Sequence, residues 1–105
     1  MTPQQIIQTS AAVYCCDPAQ VQSKTRMEPI IFARHMAIFL IITICQKSQT
    51  KTGYYFNLDH SSVYCSTKTF KILYKQNYKG FKDKVIQVLE QINFEKCIID
   101  HLCRN

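Results

Sequence analysis

Residues 56–70, FNLDHSSVYCSTKTF, are the stretch of the sequence that decides the fold. Asp59 is a good N-cap residue, because its carboxylate can accept the unpaired N–H groups two and three positions later. Val63, Phe70 and Leu73 follow at spacings of seven and three, which places them on one face of a helix. The pattern predicts a helix over 59–70 that packs inward through this face. The polar residues expected to face elsewhere are Ser62, Ser66 and Thr69.

A shorter helix is predicted directly upstream, over residues 49–55, with Ser48 as its cap. Gly53 inside this helix is expected to lie where two helices pack closely together. The connection at 57–58 is so short that the two helices must cross at a steep angle. This arrangement is a helix-turn-helix at about 49–75, in which the second helix can enter the major groove of DNA.

The remaining segments also predict helices, because apolar residues recur in them at helical spacing. These segments are 3–16, 18–21, 30–46 and 81–103, with a loop over 23–29. Asn93 is expected to kink or divide the last segment, whose stripe continues through Ile98, Ile99 and Leu102. We therefore expect an all-α bundle of five or six helices, forming one domain over residues 1–105.

The segment 30–46 is the most apolar part of the chain, so a membrane span has to be considered. The uninterrupted apolar run after His35 is too short to cross a bilayer, and the longer window would contain Arg34. It is better interpreted as a central core helix, with Arg34 projecting from its first turn. We expect no membrane partner.

Composition sets further bounds on the function. A chain of 105 residues has room for one small domain, and not for a nucleotide-binding ATPase module as well. The formal net charge of +6 favours polyanionic partners such as nucleic acid. Because no N-terminal secretory pattern precedes the six cysteines, reduced thiols in a cytoplasm are expected.

Metal binding and catalysis have little support in the sequence. The pair Cys15–Cys16, and Cys97 and Cys103 around His101, match no common zinc spacing, and no C-x-x-C motif occurs. No cysteine and histidine come with a recognisable nucleophile motif or a third orienting group. We expect a protein that is not an enzyme and that needs no cofactor or metal.

The helix-turn-helix segment resembles a known family. Residues 59–63, DHSSV, follow 53–56, GYYF, and the upstream segment 33–40 is ARHMAIFL. Together they resemble the C-terminal DNA-binding domain of the bacterial replication initiator DnaA. In that family Pro-Arg-Gln-(Ile/Met)-Ala-Met-x-Leu leads to Ile-Gly-x-x-Phe-Gly-Gly-Arg-Asp-His-Thr-Thr-Val. The separation of Arg34 from Gly53 matches without a gap, and the resemblance covers roughly residues 12–92.

The resemblance implies a bundle related to that of the Trp repressor and sequence-specific binding of double-stranded DNA at replication origins or promoters. It implies that the helix at 59–70 lies in the major groove and that Arg26 reaches into the adjacent minor groove. The residues expected near bases are Asp59, His60 and Ser61. Those expected at phosphates are Arg34, Ser62 and Lys68, and His35 belongs to the same predicted interface.

One departure from the family pattern leaves a second interpretation open. Between Phe56 and Asp59 the chain has Asn57 and Leu58 where the family has Gly-Gly-Arg, so one residue and one basic side chain are missing. The loop around Arg26 is also less basic than usual. The alternative is a protein-interaction module that keeps the bundle and has lost DNA binding. Whether the chain is an excised domain or a stand-alone relative also stays open.

Overall fold

The structure of the protein, a computed structural model, describes residues 1–104. In this range the elements are α1 (Pro3–Val13), α2 (Pro18–Val21), α3 (Ile30–Ile44), α4 (Gln49–Tyr54), α5 (His60–Gln76), a 3-10 turn (Tyr78–Gly80), α6 (Phe81–Gln91) and α7 (Lys96–Arg104). The predicted all-α bundle with a helix-turn-helix is confirmed. The described residues form seven α-helices rather than five or six, because the segment after residue 80 forms two helices.

The division of this last segment is caused by its backbone at Asn93. Asn93 has a φ of +57°, in the left-handed region that ends many helices and that asparagine adopts more readily than most residues. The N–H of Phe94 then donates to the carbonyl of Leu89 over 2.9 Å, which closes the end of α6. The prediction that Asn93 kinks or divides the segment is therefore confirmed: Asn93 divides it into α6 and α7.

The buried face of α7 differs from the predicted one. Ile99 and Cys103 are buried, whereas Ile98 is 44% exposed and Leu102 is 36% exposed. The predicted inward stripe is therefore wrong for Ile98 and Leu102. The break at Asn93 resets the rotation of the chain, so the helical phase of α6 does not carry over into α7.

The predicted start signals of the helices are confirmed. Each is a side-chain oxygen that accepts an otherwise unpaired N–H of the first turn, which stabilises the helix start. The three pairs are Asp17 with Ala19 at 2.8 Å, Ser48 with Lys51 at 3.1 Å, and Asp59 with Ser62 at 2.8 Å. The boundaries of α2, α4 and α5 are thus encoded locally in the sequence.

The central helix is α3, which packs against α1, α2, α4 and α5. Phe39 of α3 stacks on Phe70 of α5, with ring centroids 4.1 Å apart and an angle of 4° between the rings. Phe81 of α6 meets the edge of Phe70 at 5.3 Å. Within residues 1–104, no helix is both long and apolar enough to cross a membrane.

The helix-turn-helix is closed by a contact between Gly53 and the turn that follows it. The N–H of Leu58 donates to the Gly53 carbonyl over 2.9 Å, and Asn57 adopts a left-handed φ of +55°. A Cβ atom at Gly53 would lie 2.3 Å from the carbonyl oxygen of Leu58. The predicted close approach at Gly53 is therefore present, but its nearest neighbour is the backbone of the turn rather than a helix.

We expect Gly53→Ala to lower the free energy of unfolding by about 1 to 3 kcal/mol, because the methyl group would force the turn away from α4. Thermal or urea unfolding measures the change. Lys51→Ala, at an exposed site on the same helix, is the matched control and should have little effect. If Gly53→Ala were as stable as the original protein, the turn would not pack as described.

Candidate nucleic-acid interface

The first turn of α5 presents three exposed polar residues, His60, Ser61 and Ser62. Asp59 holds this turn together, since its Oδ1 accepts the N–H of Ser62. The same hydrogen bond lowers the pKa of the Asp59 carboxyl, so the group is anionic at neutral pH. An ionised cap also interacts favourably with the positive end of the helix dipole. The side chains of the turn are thus displayed on a stable helix start.

A depression of about 500 Å³ lies between loop 22–29, α3 and the first half of α5. We call it the interhelix depression. Five of the eight predicted site residues line it: Arg26, Arg34, His35, Ser61 and Ser62. The other three, Asp59, His60 and Lys68, are exposed outside it. The structure therefore brings most of the predicted residues to one concave surface.

Arg34 is placed differently from the sequence prediction. The side chain does not project from the first turn of α3, because helix α3 begins at Ile30 and Arg34 lies in the second turn, only 7% exposed. Its Nε donates to the carbonyl of Val21 over 2.9 Å, while its Nη2 has no hydrogen-bond partner. Burial, and then the positive charge of Arg26, lowers the pKa of Arg34. Arg34 thus connects the core helix to the end of α2.

His35 lies beside Arg34 in the chain and pairs with a residue of α5. Its Nδ1 shares a hydrogen bond of 2.6 Å with Oγ of Ser66, which is buried. The prediction that Ser66 faces away from the core is therefore wrong. Burial, with a smaller contribution from Arg34, lowers the pKa of His35 to about 4, so the imidazole is neutral at pH 7. A neutral ring can act as donor or acceptor to the Ser66 hydroxyl.

Loop 22–29, which carries Arg26, is held at both ends. Nε2 of Gln22 donates to the carbonyl of Tyr55 over 2.8 Å, which links the start of the loop to the helix-turn-helix. Near the other end, Nζ of Lys79 forms an ion pair with Oε1 of Glu28 at 2.9 Å. Arg26 lies between these two attachments and is exposed.

Lys68 lies one turn beyond Tyr64 on the exposed face of α5. Its Nζ is 4.7 Å from the centroid of the Tyr64 ring, a cation–π distance. The aromatic ring restricts the lysine side chain without neutralising its charge. Lys68 therefore remains available to an anion.

Sequence reasoning missed several residues that line the interhelix depression. Lys24, Cys65 and Thr69 line it but are not among the predicted site residues. Ser61, Cys65 and Thr69 recur every four positions, so they lie along one face of α5. This regular spacing of small polar side chains is the sequence signal that could have identified them as lining residues. Their position opposite α3 could not be read from spacing alone.

The cysteines add no second site to this surface. All six are unpaired thiols. Among residues 1–104, no three histidine, cysteine, aspartate or glutamate side chains come together as metal ligands would.

The fold and the site define the class of the protein: a small all-α domain built around a helix-turn-helix. Its family follows from comparison with known sequences. Residues 3–69 match the family model of the bacterial dnaA protein helix-turn-helix, and the chain belongs to this family.

Two whole initiators show the extent of the similarity. The chromosomal replication initiator protein DnaA of Nautilia profundicola is 30% identical over 97 residues, which cover 91% of this chain and 22% of that protein. The initiator of the same name from Tropheryma whipplei is 30% identical over 81 residues, 77% of this chain and 17% of that protein. The chain thus spans about a fifth of the length of these relatives.

The lowered pKa of His35 predicts a pH effect on stability. Between about pH 6.5 and pH 4 the unfolded chain binds a proton at His35 that the folded protein does not, so stability falls as pH falls through this window. The contribution lost is about 3 kcal/mol at most. Urea unfolding at several pH values should therefore show a shallower decline for His35→Gln than for the original protein. Parallel declines would contradict the burial of the imidazole.

Proposed function

We propose that this protein binds double-stranded DNA sequence-specifically through the helix-turn-helix and regulates replication initiation or transcription. The observation that carries the proposal is the capped first turn of α5, which displays His60 and Ser61 beside a concave surface rich in positive charge. A helix of this kind can enter the major groove while cationic side chains hold the phosphates. We also propose that the protein associates with the nucleoid in the bacterial cytoplasm.

Base recognition is assigned to the first turn of α5. His60 and Ser61 are exposed and can reach base edges, and Asp59 can accept a hydrogen bond from a base amino group. The carboxylate of Asp59 already accepts one N–H, which leaves further lone pairs for a base. The cap and the base contact are therefore compatible.

Backbone contacts are assigned to side chains around this turn. Ser62 and Lys68 are exposed and can reach phosphates, and Arg26 lies on a loop from which it can enter the adjacent minor groove. Arg34 contributes positive charge from below the surface, and a contact with a phosphate would complete the hydrogen bonding of its Nη2. His35 contributes by holding Ser66, and so the position of α5, rather than by an exposed contact.

The test of this function is a selection of bound sequences from a random duplex library, followed by a salt titration of the enriched site. We expect an enriched motif related to the DnaA box and an affinity that falls steeply as salt rises, because phosphate contacts release counterions. Undetectable binding to DnaA-box and random duplexes at low salt would overturn the proposal. The protein-interaction module would then be the remaining interpretation.

Replacing both His60 and Ser61 by alanine should bring specific affinity close to the nonspecific level. Each lost base contact typically costs about 1 to 3 kcal/mol of discrimination. The melting temperature should change little, since both side chains are exposed. Asp59→Ala is the contrasting variant, because it should also lower the melting temperature through the lost cap. Full discrimination by the double variant would show that α5 does not read the bases.

Lys68→Ala should weaken binding to all duplexes about equally and reduce the slope of log affinity against log salt by about one. The reason is that a phosphate contact carries charge but no sequence information. Lys96→Ala, which removes the same charge from an exposed site on α7, is the matched control and should leave the slope unchanged. A change in sequence preference for Lys68→Ala would assign this residue to base recognition instead.

A further inference from the structure

We propose that the interhelix depression is also a binding site for a small phosphate monoester with an apolar or aromatic body, the chemical class of the mononucleotides. Binding there would compete with DNA, and this competition rests on the proposed function. The binding site itself rests only on the geometry of the depression.

The first observation is the incomplete hydrogen bonding of Arg34. The side chain is only 7% exposed, and its Nη2 is buried without a partner although its Nε is bonded to Val21. A buried donor without an acceptor costs free energy, and more so when it belongs to a charged group. Because Arg34 lines the depression, an anionic oxygen bound there could supply the missing acceptor. A phosphate matches the planar guanidinium well.

The second observation is the charge of the lining. Lys24 and Arg26 of loop 22–29 line the depression together with Arg34, whereas no carboxylate among the described residues lines it. The ion pair recorded in residues 1–104, Lys79 with Glu28, involves none of these cations. Three like charges are therefore gathered without a counter-ion. An anion would relieve their mutual repulsion.

The third observation is the size of the depression and its apolar wall. Its volume of about 500 Å³ far exceeds what a phosphate group fills and falls within the usual range for small-molecule sites, about 300–1,000 Å³. Ile31, Ile38 and Leu58 form apolar parts of the wall. These side chains suit a flat or apolar body attached to the phosphate. The combination favours a phosphate monoester over a free inorganic anion.

Competition with DNA follows from shared residues. Arg26 and Ser62 line the depression and also belong to the proposed DNA interface. The DNA phosphate proposed to contact Arg34 and the phosphate of a small ligand would also both lie against Arg34. Since both cannot use the same groups at once, each ligand should weaken the binding of the other.

The experiment is a calorimetric titration of the full chain, without DNA, with three probes: AMP, inorganic phosphate and adenosine. We expect AMP to bind more tightly than either of the others. Arg34→Lys should weaken AMP binding about tenfold or more, because it loses the hydrogen bonds of a charged, planar group. Circular dichroism checks that this variant is folded.

Two further variants test the AMP site without changing the buried Arg34, so their result does not depend on whether the Arg34 variant folds. Lys24→Ala changes an exposed loop residue and should weaken AMP binding several-fold without affecting stability. Lys75→Ala removes the same charge from an exposed position on α5 outside the depression, and AMP affinity should not change. Equal effects of Lys24→Ala and Lys75→Ala would show that net charge rather than this site attracts AMP, and would overturn the proposal.

Other results would overturn the proposal just as clearly. These are the absence of AMP binding at millimolar concentration, adenosine binding as tightly as AMP, or inorganic phosphate binding as tightly as AMP. A second titration, of a DNA duplex in the presence and absence of AMP, tests the competition. Because AMP is titrated without DNA, and DNA also without AMP, failure of the site and failure of the proposed DNA binding are distinguished.

Discussion

The stacking of Phe39 on Phe70 is the contact on which the rest of the structure depends. It joins the central helix α3 to α5 across the core, and Phe81 meets the edge of Phe70 to add α6 to the same cluster. Buried aromatic rings remove large apolar areas from water, and their packing geometry fixes the orientation of the helices that carry them. The exposed face of α5 points where it does because this buried face is held in place.

Much of the fold could be predicted because its signals are local. The caps at Asp17, Ser48 and Asp59 mark helix starts through hydrogen bonds within three residues, and Gly53 marks a close approach within five residues. The buried face of α7 was predicted incorrectly because it is not set by local signals. The face a helix buries after a break depends on what it meets in space, and the left-handed turn at Asn93 removes the periodicity that connects α6 to α7.

Five of the residues that line the interhelix depression are among those singled out from the sequence, but their arrangement could not be predicted. The exposed first turn of α5 follows from its cap, which sequence shows directly. The burial of Arg34 and the pairing of His35 with Ser66 do not, because each depends on a partner 13 or 31 positions away in the chain. A polar residue in an apolar helix can face solvent or meet a buried partner, and spacing alone does not separate these outcomes.

The two attachments of loop 22–29 have a consequence for the role proposed for Arg26. A loop fixed at Gln22 and again at Glu28 samples few conformations, so the proposed entry of Arg26 into a DNA groove would cost little conformational entropy. The attachments differ in kind, since one is a partly buried hydrogen bond and the other an exposed ion pair that salt screens. Raising the ionic strength therefore weakens the ion pair at Glu28 but leaves the hydrogen bond at Gln22 in place. The loop then stays fixed at its start and becomes more mobile near Glu28.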